Sequence, residues 1–335
     1  MRGALWVALI LSGRALMAAP YAAYVAGVPV HSASPDARVM VADLAGGDPV
    51  CVSDGLSGAR DPAWSPDGRL AFEAVSDGRS DIYVCGPDGS GRVNITERSD
   101  GWHTSPVFVD GRRIAYLTGP DRTVIRLASI ESGGESALCD QPRFYGRAAA
   151  SPDGSTLAVF GADRLAGPGH LCLVPTDGSG ARPLTTQPGQ YSTPSFSPDG
   201  QSVAVSFDLS ASGGGRGVGL IAIPGGDLRV LADGGYPLGP VSFSPDGTRI
   251  AYVSAESYHN TWVALVGIDG ANRERLDVGP FHVTGWPSFS PDGVLLAFQG
   301  VQAAVYGVFV KDLTTGEMTR LCPTGDTGVQ PAFSH

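Results

Sequence analysis

The chain has 335 residues, with 33 acidic against 23 basic side chains and a net charge of −10. A protein that holds a nucleic-acid backbone needs a basic surface, so this balance argues against a nucleic-acid partner. The 47 glycines and 26 prolines accompany ample apolar residues, which indicates frequent turns in a folded chain rather than disorder.

The first twenty residues have the outline of a secretory leader. Arg2 precedes an apolar stretch at residues 4–11, and a zone of small residues follows at 15–19. Arg14 interrupts this region, and it contains no clean Ala-x-Ala cleavage site. We expect residues 1–20 to be a signal peptide or a disordered apolar leader, and the protein to be periplasmic or secreted, with the cytoplasm as the alternative. The run is too short for a membrane span in the mature chain.

A short turn motif recurs along the rest of the chain. Copies resembling Ser-Pro-Asp-Gly end at Gly68, Gly111, Gly154, Gly200, Gly247 and Gly293, so the period is 43 to 47 residues. Proline presets the second turn position, and glycine takes the left-handed conformation that closes a hairpin. Alternating runs such as RLAFEAV at 69–75 follow the turns and predict strands with one buried face. Short strands at this WD40-like period are typical of a β-propeller, a ring of four-stranded blades.

The two ends of the repeat array predict the blade count. The first set of outer strands, near residues 21–57, lacks an innermost strand, and the last innermost strand, at 331–334, lacks an outer set. Joining the C-terminal strand to the first blade closes the ring and removes exposed sheet edges. We therefore predict an all-β, seven-bladed propeller as one domain over residues 21–335, and a monomer. Six blades are the alternative.

The five cysteines show no zinc-ligand spacing, and their expected places on different blades are too far apart for disulfides. Free thiols disfavour a strongly oxidising compartment. Lys311 is the only lysine. We attribute the excess of arginine to the composition of the source genome.

The repeats resemble those of TolB-type β-propellers, and the likeness covers about residues 21–335. The stretches DPAWSPDGRLAFEAVSDGRSDIYVCGPDGSG at 61–91 and GPVSFSPDGTRIAYVSAES at 239–257 carry it. The resemblance implies a periplasmic or exported protein that binds other proteins. Two features depart from TolB itself: we expect no separate N-terminal α/β domain, and we count seven blades where TolB has six. A role in the Tol system does not follow.

Propeller topology places the Ser-Pro-Asp-Gly turns on one face, which we call the turn face. The links between blades lie on the opposite variable face, around the mouth of the central channel, and we expect specificity there. The expected mouth residues are Arg60, Asp61, Trp102, His103, Arg143, Tyr145, Arg147, Tyr191, Tyr236, His282, Trp286 and Gln330. Aromatic and arginine side chains suit a protein-binding hot spot. The same side chains would serve equally well for stacking against a sugar. A third interpretation is that they only fill the channel.

The histidines raise a metal hypothesis. Similar repeats occur in oligogalacturonate lyases, and that resemblance implies a divalent metal held at the mouth by histidines and a glutamine. Here the ligands would be His103, His282 and Gln330, although no short-range ligand pair supports them. The absence of matching carboxylates in facing links argues against a glycosidase.

The sequence thus favours a non-catalytic scaffold without a cofactor, binding a protein or a cell-envelope polymer. The alternative is a metal-dependent carbohydrate-active enzyme that uses the same mouth. A sensor-type module separated from a neighbouring domain is the third interpretation.

Overall fold

In a computed structural model the chain forms seven antiparallel sheets arranged as the blades of a propeller. The structure describes residues 21–27, 34–97, 99, 101–119, 121, 123–139, 142–164, 167–233, 239–257, 260–279, 281–302, 305–322 and 327–334. The leader at 1–20 lies outside these residues. The predicted all-β fold and its seven blades are confirmed.

Each blade runs from an innermost strand at the channel to an outermost strand at the rim. Blade 1 contains β29 (Gly328–Phe333), β1 (Tyr21–Ala26), β2 (Arg38–Asp43) and β3 (Val50–Cys51). Blade 2 contains β4 (Ser57–Trp64), β5 (Leu70–Ser76), β6 (Arg79–Cys85) and β7 (Val93–Asn94). Blade 3 contains β8 (Thr104–Phe108), β9 (Arg113–Thr118), β10 (Val124–Ser129) and β11 (Glu135–Cys139).

The remaining blades follow the same order. Blade 4 contains β12 (Arg143–Ala150), β13 (Thr156–Ala162), β14 (Gly169–Pro175) and β15 (Arg182–Pro183). In blade 5 the innermost strand is split into β16 (Gln190–Tyr191) and β17 (Ser195–Phe196), followed by β18 (Ser202–Asp208), the short 3-10 helix Ser210–Ser212, β19 (Arg216–Ala222) and β20 (Arg229–Asp233). Blade 6 contains β21 (Ser242–Phe243), β22 (Arg249–Ser257), β23 (Asn260–Gly267) and β24 (Glu274–Arg275). Blade 7 contains β25 (His282–Phe289), β26 (Leu295–Gln302), β27 (Val305–Asp312) and β28 (Met318–Arg320).

The C-terminal strand closes the ring as predicted. β29 pairs with β1, with Phe333 opposite Ala22 and Gly328 opposite Ala26. Beyond the strand pair, the Tyr21 N–H donates to Ser334 Oγ at 2.8 Å. The first and last strands of the ring therefore complete one blade.

The serine of each Ser-Pro-Asp-Gly turn is a hydrogen-bond hub. Ser290, which is fully buried, donates to Asp292 Oδ1 at 2.6 Å and accepts the Leu295 N–H at 2.8 Å. Ser65, Ser151, Ser197 and Ser244 repeat both bonds. The glycine N–H donates to the serine carbonyl, and Gly293 has φ +71°, the left-handed conformation expected from the motif. The turn thus links the end of one strand to the start of the next.

The apolar core lies between blades rather than within one central mass. Leu70 and Phe72 of blade 2 pack with Val39 and Val41 of blade 1, and a cluster of this kind fills each of the other junctions. The aromatic residues that end innermost strands, such as Trp64 and Phe289, are buried in these clusters. They are packing residues, as expected from their positions.

Arginine has a structural use here that composition alone does not explain. On the turn face, guanidinium groups of one blade donate to backbone carbonyls of an adjacent blade. These donor–acceptor pairs are Arg69 with Gly111, Arg92 with Val52, Arg113 with Gly154, Arg182 with Pro224, Arg229 with Ile268 and Arg273 with Leu231. A planar group with five donors can reach a carbonyl while also holding a carboxylate, as Arg69 holds Asp67. Our attribution of arginine to genome composition was therefore incomplete.

The five cysteines are free thiols, as expected. Burial raises the pKa of Cys85 to about 12 and that of Cys172 to about 11, so neither is a reactive thiolate. Within the described residues no helix has the length and apolar character needed to cross a membrane.

Candidate functional site

The mouth is built from one position that repeats in all seven blades, within or just before the last part of the innermost strand. This position, three residues before the strand's end, carries Asp61, Ser105, Arg147, Thr193, Pro240, Trp286 and Gln330 in blades 2 to 7 and blade 1. No residue type occurs twice. The backbone repeats around the ring while the side chains at the channel differ in every blade.

Four of these residues have an unusual backbone conformation. Asp61, Ser105, Trp286 and Gln330 have φ between +53° and +58°, and each precedes a proline. The innermost strands β4, β8 and β25 shift register around this position, as in a β-bulge. A left-handed conformation in a non-glycine residue costs about 1–3 kcal/mol, and bulges re-aim side chains. The strain is therefore concentrated at the channel wall.

Asp61 of blade 2 and Gln330 of blade 1 are hydrogen-bonded to each other across the junction between these two blades. The Asp61 N–H donates to Gln330 Oε1 at 3.0 Å, and Gln330 Nε2 donates back to Asp61 Oδ1 at 2.9 Å. This reciprocal pair connects residues that are 269 positions apart in the sequence. Both residues were expected at the mouth, and the structure brings them together.

Arg147 extends from blade 4 to two other blades. Its Nη2 donates to the Pro62 carbonyl of blade 2 at 2.6 Å, and its guanidinium carbon lies 5.7 Å from the centre of the Trp286 ring of blade 7. The second contact is within the range of a cation–π interaction. Burial lowers the pKa of Arg147, and the Asp61 carboxylate opposes that effect. Together with Asp61 and Gln330, Arg147 and Trp286 form what we call the mouth network.

Glu73, on β5, is a charged residue at this site that the sequence did not reveal. It is fully buried, receives hydrogen bonds from Arg60 and from Ser80 Oγ (2.7 Å), and its Oε2 has no hydrogen-bond partner among the described residues. The bond to Glu73 raises the pKa of Arg60. Burial raises the pKa of Asp61, and Glu73 adds to that rise, while Arg147 and Arg60 oppose it. The mouth therefore combines two carboxyl groups with two guanidinium groups.

His103 lies behind the mouth, between blades 2 and 3. It is only 1% exposed, its Nε2 lies 4.0 Å from Asp81 Oδ1, and its ring meets the Tyr116 ring edge-on at 5.4 Å. Neither ring nitrogen has a hydrogen-bond partner within the described chain. Burial lowers the pKa of His103, and Asp81 opposes this. The neighbouring Trp102 is 39% exposed, so the two adjacent residues have opposite surroundings.

The other expected mouth residues differ in exposure. Arg143 is exposed and forms an ion pair with Asp121 at 3.3 Å, and Tyr145 packs at the edge of the blade 4–blade 5 core. Tyr191 is buried, its hydroxyl donates to the Gln187 carbonyl at 2.6 Å, and it borders a cavity of about 270 Å³. Tyr236 lies outside the described residues.

The three hypothetical metal ligands occupy different surroundings. His103 is buried beside Asp81, His282 is exposed at the start of β25, and the Gln330 amide is engaged by Asp61. The described residues contain no group of three or more His, Cys, Asp or Glu side chains placed to hold a metal ion. The geometry around Gln330 thus favours its role in the mouth network.

Comparison with known proteins identifies the fold but no single family. No protein-family model matches the chain. Dipeptidyl-peptidase 5 of Porphyromonas gingivalis is 25% identical over 296 residues, which is 82% of this chain but only 42% of that enzyme. The chain therefore spans about two fifths of this curated relative.

Solved structures show the same architecture at low identity. TolB from Acinetobacter baumannii superposes with a TM-score of 0.63 and 19% identity, covering 94% of this chain and 67% of TolB. Oligogalacturonate lyase from Vibrio parahaemolyticus gives a TM-score of 0.60 and 17% identity, covering 78% of this chain and 77% of the lyase. At such identities the likeness shows a shared propeller fold, and folds of this kind carry many functions.

Proposed function

We propose that this propeller is a non-catalytic binding scaffold whose variable face captures a protein, with a cell-envelope polymer as the other possible partner. The observation that carries the proposal is the mouth network. Asp61, Arg147, Trp286 and Gln330, from four blades, are joined across the channel into one preorganised polar and aromatic surface. Such preorganisation reduces the entropic cost of binding.

The backbone of the mouth supports the same proposal. Strained non-glycine residues cluster where function requires a particular side-chain direction. Four such residues stand at one repeated position, whereas the left-handed positions of the Ser-Pro-Asp-Gly turns are glycines. Exposed Trp102 supplies an aromatic side chain of the kind that dominates interface energetics.

Substitution on the two faces tests this placement. The Trp102→Ala and Arg143→Ala proteins should lose capture of the partner from an envelope extract. Both side chains are exposed, and Arg143 loses only a surface ion pair, so the melting temperature should change little. Ile268→Ala is the matched control, because Ile268 is an exposed apolar residue (37% exposed) in an outer hairpin. Capture that survives both mouth substitutions, or that fails in the control, would refute the placement.

We further propose export to the periplasm or beyond, with residues 1–20 as a cleaved leader and residues 21–335 as one monomeric domain. The sequence outline of the leader and the likeness to TolB support this. N-terminal sequencing of the mature protein should begin near residue 21. A mature chain that retains its first twenty residues, recovered with the cytoplasmic fraction, would contradict export.

The alternative is a metal-dependent enzyme acting on carbohydrate at the same mouth. The shared fold of oligogalacturonate lyase supports it. The burial of His103 and the pairing of Gln330 with Asp61 weigh against a site built from His103, His282 and Gln330. Metal analysis separates the two: bound manganese or zinc with a rise in melting temperature favours the enzyme.

A further inference from the structure

Arg147 differs from the other arginines expected at the mouth because it has no carboxylate partner. Arg60 is ion-paired with Glu73, and Arg143 is ion-paired with Asp121 at 3.3 Å. Arg147 forms no ion pair with any carboxylate of the described residues, although its guanidinium reaches from blade 4 to blades 2 and 7. A positive charge at the mouth is therefore left without a negative charge in direct contact.

The hydrogen bond and the ring contact that hold this guanidinium are both to neutral groups. Nη2 of Arg147 donates to the Pro62 carbonyl at 2.6 Å, and the guanidinium carbon lies 5.7 Å from the centre of the Trp286 ring. Nε is buried and has no hydrogen-bond partner within the described chain. Most of the N–H donors of the group are thus unused. Because an enclosed charge is stable only when it is paired, these surroundings favour a bound anion.

The carboxylates near Arg147 are engaged by other residues. Oδ1 of Asp61 accepts the Gln330 amide at 2.9 Å, and Glu73 is ion-paired with Arg60. Asp61 acts on Arg147 through its charge, because it opposes the lowering of the Arg147 pKa by burial. No hydrogen bond or ion pair joins these two described residues, so Asp61 does not occupy the donors of Arg147.

The chemistry of the group selects the class of anion. A guanidinium fork matches a carboxylate with two parallel hydrogen bonds. The neighbouring Asp61 charge favours a singly charged carboxylate over a phosphate, which carries a charge of about −1.5 to −2. Because Nε is buried, a carboxylate on a flexible stem can reach the group more readily than one attached directly to a sugar ring.

We propose that Arg147 binds the carboxylate of a glutamate or aspartate side chain on the protein that the variable face captures. The face of Trp286 would then pack against the apolar stem of that side chain. The inference rests on the proposed capture of a protein, and it names the chemical group on the partner that the mouth network recognises.

Saturation-transfer NMR with N-acetylglutamate α-amide tests the inference with a defined probe. The probe should receive transferred magnetisation at up to about 10 mM, where a millimolar complex is populated. N-acetylglutamine α-amide has nearly the same shape without the charge, and methyl glucuronide carries its carboxylate on a sugar ring. Each of these two compounds should bind about tenfold more weakly or less, because a charge-assisted hydrogen bond is lost or the ring hinders approach.

Variants of the mouth locate the binding. Arg147→Gln should weaken binding of the glutamate probe by about tenfold or more, and Arg147→Lys by about threefold or more, because a point charge replaces the fork. Asp61→Asn removes a like charge but keeps the acceptor for Gln330, so it should strengthen binding by about threefold. Arg143→Ala is the matched control, since Arg143 lies on the same strand and already has a carboxylate partner. Unchanged melting temperatures confirm that each variant is folded.

The outcomes separate this inference from the proposed function. Absence of probe binding, equal binding of the glutamate and glutamine compounds, or binding unchanged in both Arg147 variants would overturn the inference, even where Trp102→Ala abolishes partner capture as proposed. Stronger binding of methyl glucuronide would also overturn it and would identify a sugar carboxylate instead. Probe binding that depends on Arg147, together with partner capture that survives Trp102→Ala and Arg143→Ala, would refute the placement of the capture surface and leave the carboxylate site in place.

Discussion

The turn face and the mouth are built on the same repeated backbone, but their side chains differ in kind. On the turn face, five serines make the same two hydrogen bonds, and glycines occupy the left-handed positions. At the mouth, seven different residues occupy one repeated position, and four of them are non-glycine residues with positive φ. The turn face thus places its left-handed positions at glycines, whereas the mouth keeps strained non-glycine residues, and the proposed binding role would account for that difference.

The arginines show the same contrast. On the turn face, Arg69, Arg113 and Arg273 donate to carbonyls of adjacent blades and so connect neighbouring repeats. At the mouth, Arg147 reaches past its neighbouring blades to blades 2 and 7. One residue type thus holds adjacent blades together on one face and organises a candidate binding surface on the other.

The largest stability effect should come from the buried charge beneath the mouth. Glu73→Leu leaves Arg60 without its carboxylate partner, and breaking a buried pair costs about 3–5 kcal/mol. Because the Arg60 side chain is 28% exposed, we expect the lower end, about 3 kcal/mol of unfolding free energy in urea titrations. Glu317→Leu, at an exposed position, should change stability little. If Glu73→Leu and Glu317→Leu lower the free energy of unfolding equally, the buried Arg60–Glu73 pair contributes nothing to stability.

Removal of a turn serine hydroxyl should give the next largest loss of stability. Ser290→Ala removes the donor to Asp292 and the acceptor for the Leu295 N–H, and an unsatisfied buried group costs about 1–3 kcal/mol. Ser155→Ala, at an exposed serine beside an equivalent turn, is the control for chemical denaturation. A loss no greater than that of the control would contradict the assignment of the turn serine as a stabilising hub.

His103 should make stability depend on pH in the acidic range. Its folded-state pKa lies below the unfolded value of about 6.5, so the unfolded chain binds more protons and stability falls as pH drops below about 6.5. The charged or titratable groups around it are Asp81 of β6, Tyr116 of β9, Arg126 of β10 and Glu135 of β11. As pH falls from neutral to mildly acidic, the melting temperature of the wild type should drop relative to that of His103→Phe, which has no group to titrate at this position. Parallel curves would exclude this linkage.

The smallest loss of stability should come from removing one arginine contact between blades on the turn face. Arg69→Lys loses the fork that reaches both Asp67 and the Gly111 carbonyl, worth about 0.5–1.5 kcal/mol. Arg38→Lys, at an exposed position, is the matched control. If Arg69→Lys retains the full stability of the wild type, then a positive charge alone is sufficient at this position and the guanidinium fork is not needed.

The sequence predicted the architecture well because each repeat carries its own local signals. Turn residues, strand alternation and the terminal half-copy led to seven blades and a ring closed by β29. The mouth was harder to predict, because its contacts join residues such as Asp61 and Gln330 that are distant in the chain. The positive φ before proline has no local signal, since proline disfavours helical conformations in the preceding residue. Glu73 was missed because it sits in an alternating apolar run that reads as an ordinary strand.

The most direct test measures partner capture and melting temperature together in two variants, Trp102→Ala and Ser244→Ala. Trp102 is exposed at the variable face, and Ser244 is a 1% exposed turn hub. We predict that Trp102→Ala abolishes capture without lowering the melting temperature, and that Ser244→Ala lowers the melting temperature while the folded protein still captures the partner. Loss of capture in the folded Ser244→Ala protein, with retention in Trp102→Ala, would contradict the separation of stability and binding between the two faces.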